Sequence, residues 1–144
     1  MGPMRYGYSL IELITVVVLM VIIAAIALPP LARQLDAAAV NEAAERYLSA
    51  HHSARKLAMA RGRLVRLELD TARGTAALAV RRPPAGWDTV EIRPFGTAQL
   101  ETSQPVITFA PWGVGFGLSN SRIVFRRGQA AETLTVSRTG RVRR

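Results

Sequence analysis

The stretch Leu10-Ile11-Glu12-Leu13-Ile14-Thr15-Val16-Val17-Val18-Leu19-Met20-Val21-Ile22-Ile23-Ala24-Ala25-Ile26-Ala27-Leu28 is followed at once by Pro29 and Pro30. Glu12 is its one charged side chain. As a helix, Tyr8 to Leu28 spans about 31 Å at about 1.5 Å per residue, close to the roughly 30 Å hydrocarbon core of a bilayer. A soluble core helix that is apolar on every face needs structure all around it, and a chain of 144 residues supplies too little. The segment therefore reads as membrane-spanning. An ordinary cleaved signal is the competing reading, since Ala25-Ile26-Ala27 resembles a small-residue cleavage site, but the apolar region before it is long and holds a carboxylate. Charge orients the span only weakly: Arg5 precedes it and Arg33 follows, soon offset by Asp36, and a long downstream domain translocates regardless.

Around this segment the chain is 49% hydrophobic yet carries a formal charge of +9, from 19 basic and 10 acidic residues. The two properties come from different places. The apolar run lies before Leu28, whereas seven arginines and a single acid fall between Ser119 and Arg144. Membrane and polyanion are both candidate partners. With no cysteine, the chain can form neither a disulfide framework nor a thiolate zinc site.

Glu12 is costly where it stands, by about 2.5 to 3.5 kcal/mol near the middle of a spanning helix on insertion scales, so a job or a partner is expected for it. It lies five residues after Gly7. Cleavage after Gly7 would give Tyr8 an α-amino group that is cationic at neutral pH, and Glu12 could neutralise that amine on its own helix or on a neighbouring copy. The simpler alternative has Glu12 at the interface, favouring the helix N-terminus.

After Pro30 the residues to Gly62 are rich in helix formers and free of proline. Val40, Ala44, Tyr47, His51, Ala54 and Ala58 recur at spacings of three and four, opposite Glu42, Glu45, Arg46, Arg55 and Lys56, which predicts an amphipathic helix. Gly62 is its expected stop. His51 and His52 are adjacent, point about 100° apart on a helix and cannot chelate one ion together; both are expected as ordinary surface or groove histidines, and no metal or other cofactor is expected. Beyond Arg63 the period becomes two. Leu64 to Asp70 and Thr75 to Arg81 flank a Thr71–Gly74 turn, Val90 and Ile92 mark a short strand, and Val106 to Phe109 another. Pro111 to Gly117 reads as a flexible loop, and Arg122 to Arg126 with Thr133 to Ser137 as a hairpin around Arg127-Gly128-Gln129. The expected class is α+β: a long helix carrying mostly antiparallel strands.

Met1 to Gly7, followed by Tyr8-Ser9-Leu10-Ile11-Glu12-Leu13 and the apolar run, resembles the type IV prepilin signature, with Tyr8 and Ser9 in place of the usual Phe and Thr. The resemblance implies a leader over 1–7 removed by prepilin peptidase after Gly7, N-methylation of Tyr8, assembly through Glu12, and a helix break at Pro29. It divides the chain into a membrane and polymerisation helix over 8–30, an amphipathic helix over 31–62 and a β-rich domain over 63–144 with a basic tail. The helix end Ala54 to Gly62, the segment Ile107 to Gly113 and the ending Thr135 to Arg143 are similar to the GspH/FimT group of pilin-like proteins. That similarity implies a subunit held in the bacterial inner membrane by a single span, its C-terminal domain periplasmic, packing with other pilins or pseudopilins into a filament. Two functions follow from it: a type H minor pseudopilin of a type II secretion system, or a FimT-like minor type IV pilin that binds double-stranded DNA for uptake. In the second, a terminal Gly-Arg-x-Arg motif binds DNA, and Gly140-Arg141-Val142-Arg143 matches it, with Arg138 and Arg144 beside it.

Enzyme readings find no support in the sequence. There is no Gly-x-Ser-x-Gly elbow, no His-Glu-x-x-His pair and no phosphate-cradling glycine loop. Glu68 and Asp70 share a strand face with Arg66, which a solvated hairpin surface explains. In the tail, Arg141 and Arg143 alternate around Val142, so an extended backbone presents both on one side as a phosphate-binding stripe with Arg138 and Arg144 nearby. The alternative is that these charges only keep an exposed strand edge soluble.

Overall fold

The computed structural model describes residues 9–117 and 120–144. Two compact units divide the chain, Met1–Leu35 and Asp36–Arg144. One helix, α1 (Leu10–Arg61), runs through the boundary.

Ser9 starts α1. Its side-chain oxygen accepts the Glu12 backbone N–H at 3.2 Å, giving a Ser-x-x-Glu entry with a carboxylate on the third helical residue. Through the first unit every described side chain is exposed, and the apolar window here is long enough to cross a membrane. Pro29 and Pro30 lie within continuous helix. The break expected at Pro29 is thus milder than an end: each proline lacks an N–H, so the carbonyls of Ala25 and Ile26 lose their partners four residues on while the helical backbone continues. The other end stops as expected. Gly62 takes φ +59° and the Arg63 N–H reaches back to the Ala58 carbonyl at 3.3 Å, a left-handed glycine stop.

In the second unit nine strands follow: β1 (Val65–Asp70), β2 (Thr75–Arg81), β3 (Trp87–Pro94), β4 (Gln99–Thr102), β5 (Val106–Phe109), β6 (Gly115–Phe116), β7 (Ser121–Arg127), β8 (Ala130–Val136) and β9 (Val142–Arg143). They form two antiparallel sheets, of order β3-β2-β1-β5-β6 and β4-β7-β8-β9. The β1–β2 turn is held by Asp70, whose carboxylate accepts the N–H groups of Ala72 and Arg73, each at 3.0 Å. In the β7–β8 hairpin Arg127 pairs with Ala130, leaving Gly128-Gln129 as a two-residue loop with Gly128 at φ +55°, as such loops require. Three strands were not legible: β4 has one apolar residue among its four, β6 turns part of the expected Pro111–Gly117 loop into a two-residue strand paired with β5, and β9 turns part of the basic tail into a two-residue strand paired with β8.

The inner faces of both sheets close over one face of α1. Val65, Leu67 and Leu69 from β1, Ile123 and Phe125 from β7, and Leu134 and Val136 from β8 join Val40, Ala44, Tyr47, Ala54 and Ala58 in a single core cluster. Tyr47 stands between the sheets, its ring 6.3 Å from Phe95 and 6.4 Å from Phe125. His51 departs from expectation: it is 1% exposed and meets Phe109 edge-on at 4.9 Å, while His52 faces outward as expected. A helical spacing that includes Tyr47 and Ala54 places residue 51 on the buried stripe whatever its polarity.

Candidate anion-binding groove on the four-stranded sheet

Antiparallel pairing sets the site. Arg122 on β7 pairs with Thr135 on β8, and Thr135 pairs with Arg143 on β9. Directly paired residues share a face, so Arg122, Thr135 and Arg143 form one row across the sheet, opposite to the buried Ile123, Leu134 and Val136. A shallow groove of about 670 Å³ runs over this face, and Arg141, in the turn just before β9, borders the same groove. It is lined by the three arginines and by the hydroxyls of Ser103, Thr135 and Thr139 among others. Among the described residues, no carboxylate lies within ion-pairing distance of Arg122, Arg141 or Arg143, whereas Arg126 is tied to Glu101 at 3.2 Å and Arg127 to Asp36 at 3.0 Å. A concave surface with three guanidinium forks and hydroxyl donors is chemically suited to phosphate.

The tail reaches this place through a turn. Ser137 N–H donates to the Arg141 carbonyl at 2.9 Å, and Gly140 N–H to the Ser137 carbonyl at 2.9 Å; the Ser137 hydroxyl accepts the Arg141 N–H at 3.2 Å. Gly140 is at φ +74°, and a Cβ there would stand 3.2 Å from Cε1 of Phe109. The glycine of the Gly-Arg-x-Arg stretch is therefore a buried turn residue that returns the chain against β8. It does not face the groove, and neither do all of the arginines expected there. Arg138 is exposed on the turn and is not among the groove-lining residues. Arg144 falls on the other face of β9 by strand alternation, where it pairs with Glu45 of α1 at 3.0 Å and Glu132 of β8 at 2.7 Å. Arg122, conversely, was not singled out from sequence, because its place depends on two strand registers.

Elsewhere, Glu12 occupies the capped first turn of α1 and is exposed; Gly7 and Tyr8 lie outside the described residues. On the outer face of the five-stranded sheet, Arg66 pairs with Glu68 and lies 4.5 Å over the Trp87 ring, so this cluster of charges has structural partners. In the core, burial lowers the His51 pKa to about 4, with the nearby His52 and Arg55 charges adding to the shift. Burial also pushes the Tyr47 hydroxyl well above its usual range.

A long helix, apolar along its first half and clothed by antiparallel sheets along its second, is the architecture of the pilin-like structural subunits. Two crystal structures of the Pseudomonas aeruginosa (strain PAO1) type IV minor pilin FimU are similar to it. One matches with a TM-score of 0.60 at 16% identity over 72% of this chain and 86% of that one. The other, in a second crystal form, matches with a TM-score of 0.59 at 14% identity over 72% and 90%. At the level of sequence, the family model described as Type II transport protein GspH matches residues 43–140. The chain belongs to the GspH family of pilin-like proteins. No curated protein sequence matches it.

Proposed function

We propose that this chain is a minor pilin-like subunit whose groove binds the phosphate backbone of double-stranded DNA. In this reading α1 anchors it in the bacterial inner membrane as a single span until assembly, with the Asp36–Arg144 unit periplasmic. The observation that supports DNA is a group of three arginines without ion-pair partners among the described residues, on β7, on β9 and in the turn before it, around one concave face. Phosphate contacts of this kind position a duplex without reading its sequence, which suits a subunit that takes up any DNA. Prepilin peptidase cuts after Gly7, Tyr8 carries the methylated amine, and Glu12 neutralises it among packed helices of other pilins.

A secretion role is the second reading, favoured by the description of the family that residues 43–140 match. There the same subunit sits in a type II secretion pseudopilus and the arginines protect the sheet edge. A low-salt mobility shift with random-sequence duplex separates the two. The parent is expected to bind and the Arg141→Ala, Arg143→Ala double variant to lose most binding, with unchanged circular dichroism. Equal binding by both, or none by the parent, favours the secretion reading.

A further inference from the structure

We propose that the anion site is a folded three-arginine row rather than a basic tail, with Arg122 of β7 as its third phosphate contact and Arg144 as a positioning residue that latches β9. The inference rests on the DNA reading above and assigns the work within that site.

Arg122 is hard to explain otherwise. Charges on a terminal strand can be there to protect an open edge, and β9 is an edge; but β7 lies inside its sheet, between β4 and β8, and needs no such protection. Of the arginines on β7, Arg126 and Arg127 are neutralised by Glu101 and Asp36. Arg122 is left without a carboxylate within ion-pairing distance among the described residues, although both its backbone groups are fixed by one residue, Ser103, next to β4. Its N–H donates to the Ser103 hydroxyl at 2.9 Å, and its carbonyl accepts the Ser103 N–H at 3.0 Å. Two interstrand spacings, about 9.6 Å, separate its backbone from that of Arg143, and Arg141 lies in the turn two residues before Arg143. The backbone positions of the three arginines are thus set before any ligand arrives.

Arg144 has the opposite character. Its guanidinium already bridges two carboxylates on two elements, Glu45 and Glu132, on the face of β9 turned away from the groove. Of the three side chains only that of Glu132, 18% exposed, is sheltered from solvent. What the bridge does for the site is hold a two-residue edge strand in register with β8, and so keep Arg141 and Arg143 on the face where Arg122 waits.

The roles are separable by the salt dependence of binding, because a phosphate contact releases counterions and a latch does not. The full-length protein in nonionic detergent is titrated against random-sequence duplex DNA. With three contacts, affinity falls about 40-fold between about 50 and 200 mM salt, and with two about 12-fold. Arg122→Gln should take the second value and Arg122→Lys should return to the first. Arg144→Gln should bind more weakly at every salt concentration while keeping the parent's salt response. Parent-like salt response in Arg122→Gln overturns the three-arginine row, as does a two-contact response in Arg144→Gln. If either occurs while the Arg141→Ala, Arg143→Ala variant still loses binding, the DNA reading stands and this inference alone falls. A parent that binds no duplex at low salt ends both.

Discussion

His51 shows how much one polar residue can weigh in a small core. Its ring is enclosed by Tyr47 and Phe109, and among the described residues neither ring nitrogen has a hydrogen-bond partner. The protonated form is therefore disfavoured in the folded chain, with the pKa lowered from 6.5 to about 4. Between those values the unfolded chain holds more proton than the folded one, so stability is full above about pH 6.5 and falls as the pH drops towards 4. The loss amounts to about 3 kcal/mol once both states are protonated. Thermal melts of the parent and of His51→Leu across pH 7 to 4.5 test this: the variant should lose the part of the acid destabilisation that belongs to the imidazole. Identical pH profiles would show that His51 stays neutral for some other reason or is solvated when charged. Gly140 works through shape instead, and because any side chain there meets a positive φ and the Phe109 ring together, the tail's turn is fixed from within the core.

At the scale of elements, α1 does two jobs with one backbone. Its second half earns its helix by burying a stripe of small residues, Ala43, Ala44, Ala50, Ala54 and Ala58, which lets the strands approach closely around Tyr47. Its first half buries nothing against the described residues, so its apolar surface calls for a bilayer or for other copies. Glu12 belongs to that surface. Glu12→Ala removes a carboxylate but leaves Ser9 to cap the same N–H, so the helix start and leader cleavage should persist; on the proposed pairing of Glu12 with the Tyr8 amine, incorporation into filaments should drop, because that amine would lose its partner among apolar helices. The check is the ratio of processed to filament-associated protein, and normal incorporation would remove Glu12 from assembly.

For the whole molecule the first question is where the mature chain begins. Intact-mass measurement of membrane-extracted protein is expected to show a start at Tyr8 with one added methyl group. A start at Leu28 would mean cleavage after Ala27, and the anchored, polymerising subunit would no longer be a tenable reading.

The sequence by itself determined the elements whose signal is local. A nineteen-residue, almost wholly apolar run before a proline pair, the three-and-four spacing from Val40 to Ala58, and the strict alternation of Val65, Leu67 and Leu69 against Arg66, Glu68 and Asp70 each state their structure within a few turns or a single strand, because helix and strand periodicities are properties of the backbone. Gly62 and Gly128 likewise marked a stop and a hairpin by what their φ angles permit. Only the tertiary structure decided which arginines lie around one groove. Arg122 and Arg143 are 21 positions apart and meet through two strand registers, and registers are set by which inner faces fit the core. Strand alternation already separates Arg144 from Arg141 and Arg143, but its capture by Glu45 and Glu132 depends on α1 lying beneath β8. The site emerged from long-range pairing, and no local pattern carries that information.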